Sequence, residues 1–151
     1  MSLLDVINTH PVTLTLNHTI GEALQLMLQH RLESMPVLDE QQRLAGRFGV
    51  HELLGLLLPK AATLEPGLSD LSFIANTSEH MRTRLRQVSA HRVGDHLSEA
   101  VTLRAGTSLP EALLLLYRHG SELPVVETNG QFVGMVSPWE ILAALAAPEQ
   151  N

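Results

Sequence analysis

The chain has 151 residues, 44 % of them hydrophobic, but only one Trp, one Tyr and three Phe, so Leu, Ile, Val, Ala and Met must fill the core it buries. A formal net charge of −6, with no basic run interleaved with aromatics, excludes a nucleic-acid footprint and leaves room only for a local patch facing a small anion. The absence of cysteine removes disulfides, thiolate chemistry and sulfur-ligated metals, and fits a reducing, cytoplasmic setting.

The N-terminus has no charged stretch followed by an apolar core, and the longest apolar runs fall short of the ~20 residues a spanning helix needs. The expectation is a domain that does not itself insert into a membrane. Residues 12–16 predict a short strand, with Thr13 and Thr15 alternating against Val12, Leu14 and Leu16. Thr19 stands three residues before Glu22, a capping box that opens a helix over 20–30 whose apolar positions Ile20, Ala23, Leu24, Met27 and Leu28 recur at helical spacing. Pro36 forces Met35 into extended geometry, and residues 36–38 and 44–50 predict a hairpin turning through the polar stretch 39–42. Residues 52–58 predict a helix stopped by Pro59.

Residues 60–92 form a locally basic connector. Pro66 and Gly67 suggest a turn, 68–75 a short apolar helical piece, and 79–88 a second helix carrying Arg82, Arg84 and Arg86. Arg82 and Arg86, four apart, share a helix face and either reach a phosphate or form solvated surface. The connector covers a face of the module or takes part in a dimer contact, and periodicity leaves both open.

Residues 101–142 then repeat 12–54 with an offset of 89, falling to 88 after one deletion. Ser108 and Glu111 are the predicted cap pair, Pro110 sits in the first helical turn, and Gly120 ends that helix in the left-handed conformation. Residues 124–127 and 131–136 predict a hairpin turning through Asn129 and Gly130. Ser137, Pro138 and Glu140 read as cap, first-position proline and acidic third position of a helix running to about residue 147.

Three motifs occur in order, twice. The second copy has residues 93–98 leading into Val101-Thr102-Leu103, then Glu122-Leu123-Pro124-Val125-Val126, then Gly134-Met135-Val136-Ser137-Pro138-Trp139-Glu140. The first has residues 4–8 leading into Val12-Thr13-Leu14, then Ser34-Met35-Pro36-Val37-Leu38, then Gly46-Arg47-Phe48-Gly49-Val50-His51-Glu52. The chain resembles a tandem pair of cystathionine beta-synthase (CBS) domains, a Bateman module. The resemblance implies an α/β (α+β) fold of two pseudo-symmetric β-α-β-β-α repeats, at 1–59 and 93–151, packed through their sheets and joined by the partly helical connector 60–92. It also implies two clefts able to hold an adenine nucleotide or related adenosyl compound.

In the family pattern a hydroxyl lies near the phosphates and a carboxylate three residues on binds the ribose. Carried over, this assigns Ser137 and Glu140 to a second-repeat site, with Ala100, Val101, Thr102, Pro124, Val125 and Val126 around the base. A weaker first site holds Pro11, Val12, Thr13, Pro36, His51 and Glu52. Both acids are Glu where the family usually has Asp, and Gly49 replaces the hydroxyl of the first copy, leaving backbone amides and a partial charge from His51 to face a phosphate.

A structural explanation stands beside the functional one. Ser137 and Glu140 make a complete capping box whether or not a ligand exists, and Glu52 suits a helix first turn. Trp139 either packs across the repeat or a dimer contact or stacks on a base, packing being favoured by its place beyond the strand. No HExxH, GxSxG or Gly-rich phosphate loop is present, and the histidines form no cluster at metal-ligand spacing, so neither catalysis nor a metal is expected. Two functions remain. One is a homodimeric sensor of AMP, ADP, ATP or S-adenosylmethionine acting on a regulated enzyme or transporter; the other is an interaction or dimerisation module with no nucleotide.

Overall fold

A computed structural model describes residues 1–58, 78–120 and 122–148. The chain enters through a 3-10 turn (Leu3–Asp5), followed by strand β1 (Leu14–Thr15), helix α1 (Ile20–His30), strands β2 (Ser34–Leu38) and β3 (Leu44–Gly49), and helix α2 (Val50–Leu57). Helix α3 (Ser78–Ser89) and a second 3-10 turn (Val93–Asp95) lead into β4 (Leu103–Arg104), α4 (Leu109–His119), β5 (Leu123–Val126), β6 (Phe132–Val136) and α5 (Pro138–Ala146). The expected apolar helical piece at 68–75, the Pro66-Gly67 turn and Pro59 lie outside the described residues.

Each repeat builds a three-stranded sheet, in the orders β1-β2-β3 and β4-β5-β6, with the first pair parallel and the second antiparallel. Four successive residues of β2 and all four of β5 are buried, so both faces of these central strands are covered, as in a sheet sandwiched between layers. The fold class read from the motifs is therefore the observed one. The Thr19–Glu22 box forms in both directions, Glu22 N donating to Thr19 Oγ1 at 3.1 Å and Thr19 N to Glu22 Oε1 at 2.9 Å.

Local differences from expectation have local causes. The strands expected at 12–16 and 44–50 shorten to Leu14–Thr15 and Leu44–Gly49, and helix α2 starts at once with Val50. A side chain at Gly49 would collide with the carbonyl of Glu33, to which Val50 N donates at 2.8 Å, so a close crossing fixes where strand becomes helix. Gly120 has positive φ as expected, but its ψ of −137° takes it away from the left-handed helical basin.

The repeats are joined by a reciprocal exchange. Residues before the first strand of one repeat lie against the third strand of the other: Ser98 and Arg47 exchange backbone hydrogen bonds at 2.9 and 3.0 Å, and Asn8 and Met135 do so at 2.8 and 2.9 Å. Leu44 N to Gly130 O and Phe132 N to Gln42 O form a second symmetric pair, at 3.2 and 3.0 Å. The cores follow the same exchange. Leu3 and Val6 are buried with Leu103, Ala112, Val125 and Ile141 of the second repeat, whereas Val88 and Val93 are buried with Leu14, Ile20, Val37 and Phe48 of the first. Among the described residues no helix is long and apolar enough to cross a membrane.

Candidate functional site

A cleft of about 170 Å³ opens where the repeats meet, lined from the second repeat by Glu99, Ala100, Val101, His119, Glu122, Leu123, Pro124 and Met135. The first repeat contributes Ser34, Pro36, Gly46 and Arg47. Of the residues assigned to the second site, Ala100, Val101 and Pro124 meet here, joined by Pro36, which sequence reasoning had placed in the first site. Val125 is instead wholly buried in the second core, a correction that follows from strand alternation: the residue after Pro124 points to the opposite face. Val126 is buried likewise and Thr102 is exposed, and neither belongs to the lining.

A second, wider groove of about 650 Å³ is lined by His51 and Glu52 together with Leu54, Gly55, Leu56, Leu58, His96, Leu97 and Ser98. Pro11, Val12 and Thr13, expected beside those two, are half-buried and do not line it; Val12 packs on the first core. The amides that Gly49 was expected to leave free are partly occupied, because Glu33 O takes the Val50 N–H.

The two acids sit in unlike surroundings. Glu52 is buried and accepts from Ser98 Oγ at 2.9 Å, with Arg47 Nη2 3.9 Å from the same oxygen. In the pseudo-symmetric arrangement Met135 stands for Arg47, and Asn8 stands for Ser98. Methionine offers no donor, and Asn8, whose Oδ1 accepts from His10 N at 3.0 Å, donates nothing to Glu140 Oε2. Glu140 Oε2 is accordingly buried with no hydrogen-bond partner. The capping box expected at Ser137 and Glu140 does not form: Ser137 caps α5 by backbone position alone, with no side-chain bond. Proline at the first helical position also removes a donor there.

Glu122, exposed at the cleft wall, feels this arrangement. Desolvation, and next the neighbouring Glu140 charge, push its carboxyl above the ordinary value. Ser137 and Glu140 do not line the cleft; its wall sets two acids, Glu99 and Glu122, with one guanidinium, that of Arg47, whose Nε is buried without a partner. The sequence singled out neither Arg47 nor Glu122. A signal for Arg47 existed, a charged residue at a position where the other copy carries Met135.

Trp139 is 78 % exposed, so it does not pack across the repeat. Arg82 pairs with Glu79 at 3.0 Å and Arg86 contacts Thr83, leaving the solvated-surface explanation for both; Arg84 Nε binds the Leu56 carbonyl at 2.9 Å near the end of α2. Among the described residues no group of three or more His, Asp or Glu side chains is arranged to hold a metal.

A family model for the CBS domain matches residues 3–59 and again 93–147. The chain belongs to the CBS domain family, with two copies in tandem. Among curated relatives, the CBS domain-containing protein CBSX1 of Arabidopsis thaliana is 27 % identical over 130 residues, covering 83 % of this chain and 55 % of that protein. Inosine-5'-monophosphate dehydrogenase of Staphylococcus epidermidis is 29 % identical over 141 residues, covering 93 % of this chain and 23 % of the enzyme. The chain thus spans about half the length of the plant relative and a smaller share of the enzyme. Among solved structures, CBSX2 in complex with AMP superposes with a TM-score of 0.69 at 19 % identity, covering 95 % of both chains. CbpB in complex with c-di-AMP does so at 0.71 and 11 %, covering 96 % of this chain and 84 % of that one. At such identities the tandem CBS fold is what is shared.

Proposed function

We propose that this CBS pair is a regulatory module that senses an adenine nucleotide or related adenosyl compound, AMP, ADP, ATP or S-adenosylmethionine, in the cleft beside the second repeat. The observation that carries this reading is the buried, partnerless Glu140 oxygen. A carboxylate left so is costly unless something donates to it, and the vicinal hydroxyls of a ribose supply two donors. Ala100, Val101, Pro36 and Pro124 offer the apolar walls a base requires. The AMP and c-di-AMP complexes of the CBS-pair relatives support the same ligand class.

At about 170 Å³ the cleft is smaller than the roughly 300 Å³ usual for such ligands, so the unburied side chains at its mouth, Arg47, Glu122 and His119, swing outward on binding. Regulation then requires that the ligand favour one arrangement of the repeats over another. In this reading the module has no catalytic role and acts in the cytoplasm on an attached or separate enzyme or transporter.

The test is a thermal-shift panel of AMP, ADP, ATP, S-adenosylmethionine and c-di-AMP, since a ligand of the folded state raises Tm. At least one compound should do so below millimolar concentration, and Glu140→Ala should abolish the shift while Glu52→Ala does not weaken it. No shift from any compound, or equal losses in the two variants, would refute the assignment. Because Glu140 makes no cap bond, its replacement should leave the ligand-free Tm unchanged or higher.

Exposed apolar side chains favour self-association alongside sensing. Leu28, Val50 and Leu54 on α1 and α2 line one apolar groove, and Tyr117, Leu142 and Leu145 are exposed on α4 and α5, the corresponding helices of the second repeat. Apolar side chains exposed on the same helices of both repeats suit a second copy of the chain, and sedimentation at micromolar concentration should show a dimer.

A further inference from the structure

Resting on that reading, we infer that Glu52 is an internal competitor for the ligand's anionic group, with Arg47 the residue the two contend for. Glu52 occupies the ribose-acid position of the first repeat, yet its carboxylate already accepts from Ser98 and lies against Arg47. Arg47 lines the nucleotide cleft, and Glu52 lines the neighbouring groove, so the pair spans the wall between the two.

The pair is built to be loose. Its 3.9 Å separation exceeds the 2.7–2.9 Å of a charge-assisted hydrogen bond, whereas the Ser98 contact to Glu52 is 2.9 Å. Ser98 therefore holds the carboxylate in place while Arg47 keeps its freedom. The backbone of Arg47 is clamped by its two bonds to Ser98, so only the side chain can move. Its side chain is 44 % exposed, and its Nε has no partner. A guanidinium with unused donors on one planar fork is suited to two oxygens of a phosphoryl group.

An anion entering the cleft completes that fork and draws Arg47 off Glu52. The wall between the clefts then loses its internal ion pair, and Glu52 is left facing the groove with Ser98 alone. The two acids of the lining, Glu99 and Glu122, disfavour an anion beside them, so the phosphoryl end of the ligand turns to Arg47.

The experiment compares adenosine, AMP and inorganic pyrophosphate by titration calorimetry on the full chain and on Arg47→Gln, Arg47→Lys and Glu52→Gln, each first checked for an unchanged melting transition. Arg47→Gln should weaken AMP about tenfold or more while leaving adenosine within about twofold, with Arg47→Lys between, because a lysine keeps the charge and loses the fork. Glu52→Gln should strengthen AMP several-fold and leave adenosine unchanged. Equal losses of AMP and adenosine in Arg47→Gln would make the residue structural, and weaker AMP in Glu52→Gln would make Glu52 a positioning residue; either overturns the inference. Binding of adenosine and AMP with equal affinity to the unaltered chain overturns it while leaving the nucleotide reading intact. Binding of pyrophosphate alone, lost in Arg47→Gln, would sustain the inference and end that reading; binding of none of the three ends both.

Discussion

Glu122, on the wall of the cleft, lies near enough to Glu140 for that charge to act on it. For Glu122, desolvation and then the Glu140 charge lift the carboxyl above its ordinary value of 4.5. The folded chain therefore holds that proton more tightly than the unfolded chain does, so stability falls as pH rises from 4.5 through the raised value and stays reduced above it. Glu122→Gln removes the penalty. It should raise Tm at pH 7 and leave it nearly unchanged below pH 4.5, which thermal melts across that range would check; a lower Tm at pH 7 would contradict the charge argument. The same residues show what a sequence can disclose about a site. Ser137 and Glu140 stand at spacing that satisfies a helix cap, and nothing in the chain order reveals that Ser137 declines it. Whether an acid is tied or free depends on Arg47 and Ser98 in one copy and on Met135 and Asn8 in the other, partners brought together only by the exchange between repeats.

At the scale of elements, two glycines of the same composition have opposite meanings. Gly134 lies in β6 where a side chain would strike the Asn8 carbonyl and press on Ile7, so it permits the bridge between repeats. Gly55 lies inside α2 with open space where its side chain would be. Gly134→Ala should cost about 1–3 kcal/mol by overpacking, whereas Gly55→Ala should gain roughly 0.5–1 kcal/mol from helix propensity. Denaturant melts of both variants would decide, and equal signs would mean that the bridge yields without cost. The element plan itself was legible because its signals are local: the Thr19–Glu22 box fixed the start of α1, and Asn129-Gly130 marked the turn between β5 and β6, Gly130 taking a φ of 87°. The strand ends were not, since β1 and β4 keep only the residues that find a partner on the central strand. Likewise Gly49 read as a missing phosphate ligand, while its crossing with Glu33 is a contact no periodicity encodes.

Across the whole molecule, neither core is made by one repeat alone. Leu3 completes the second core and Val93 the first, each essentially inaccessible to solvent. Leu3→Ala should therefore cost about 2–5 kcal/mol although Leu3 lies ~100 residues from most of its neighbours, and Val93→Ala should shift the same single transition. Two separate transitions in either variant would show that the repeats fold independently. A relation of this kind is closed under a half-turn: what the first lead-in does for the second sheet, the second lead-in does for the first. Two separate chains of one repeat each could close by the same pair of handshakes, as a homodimer whose formation depends on concentration. Joining them end to end makes that encounter intramolecular, and it frees the two halves to diverge, one acid held by Ser98 and Arg47 while an oxygen of the other is buried without a partner.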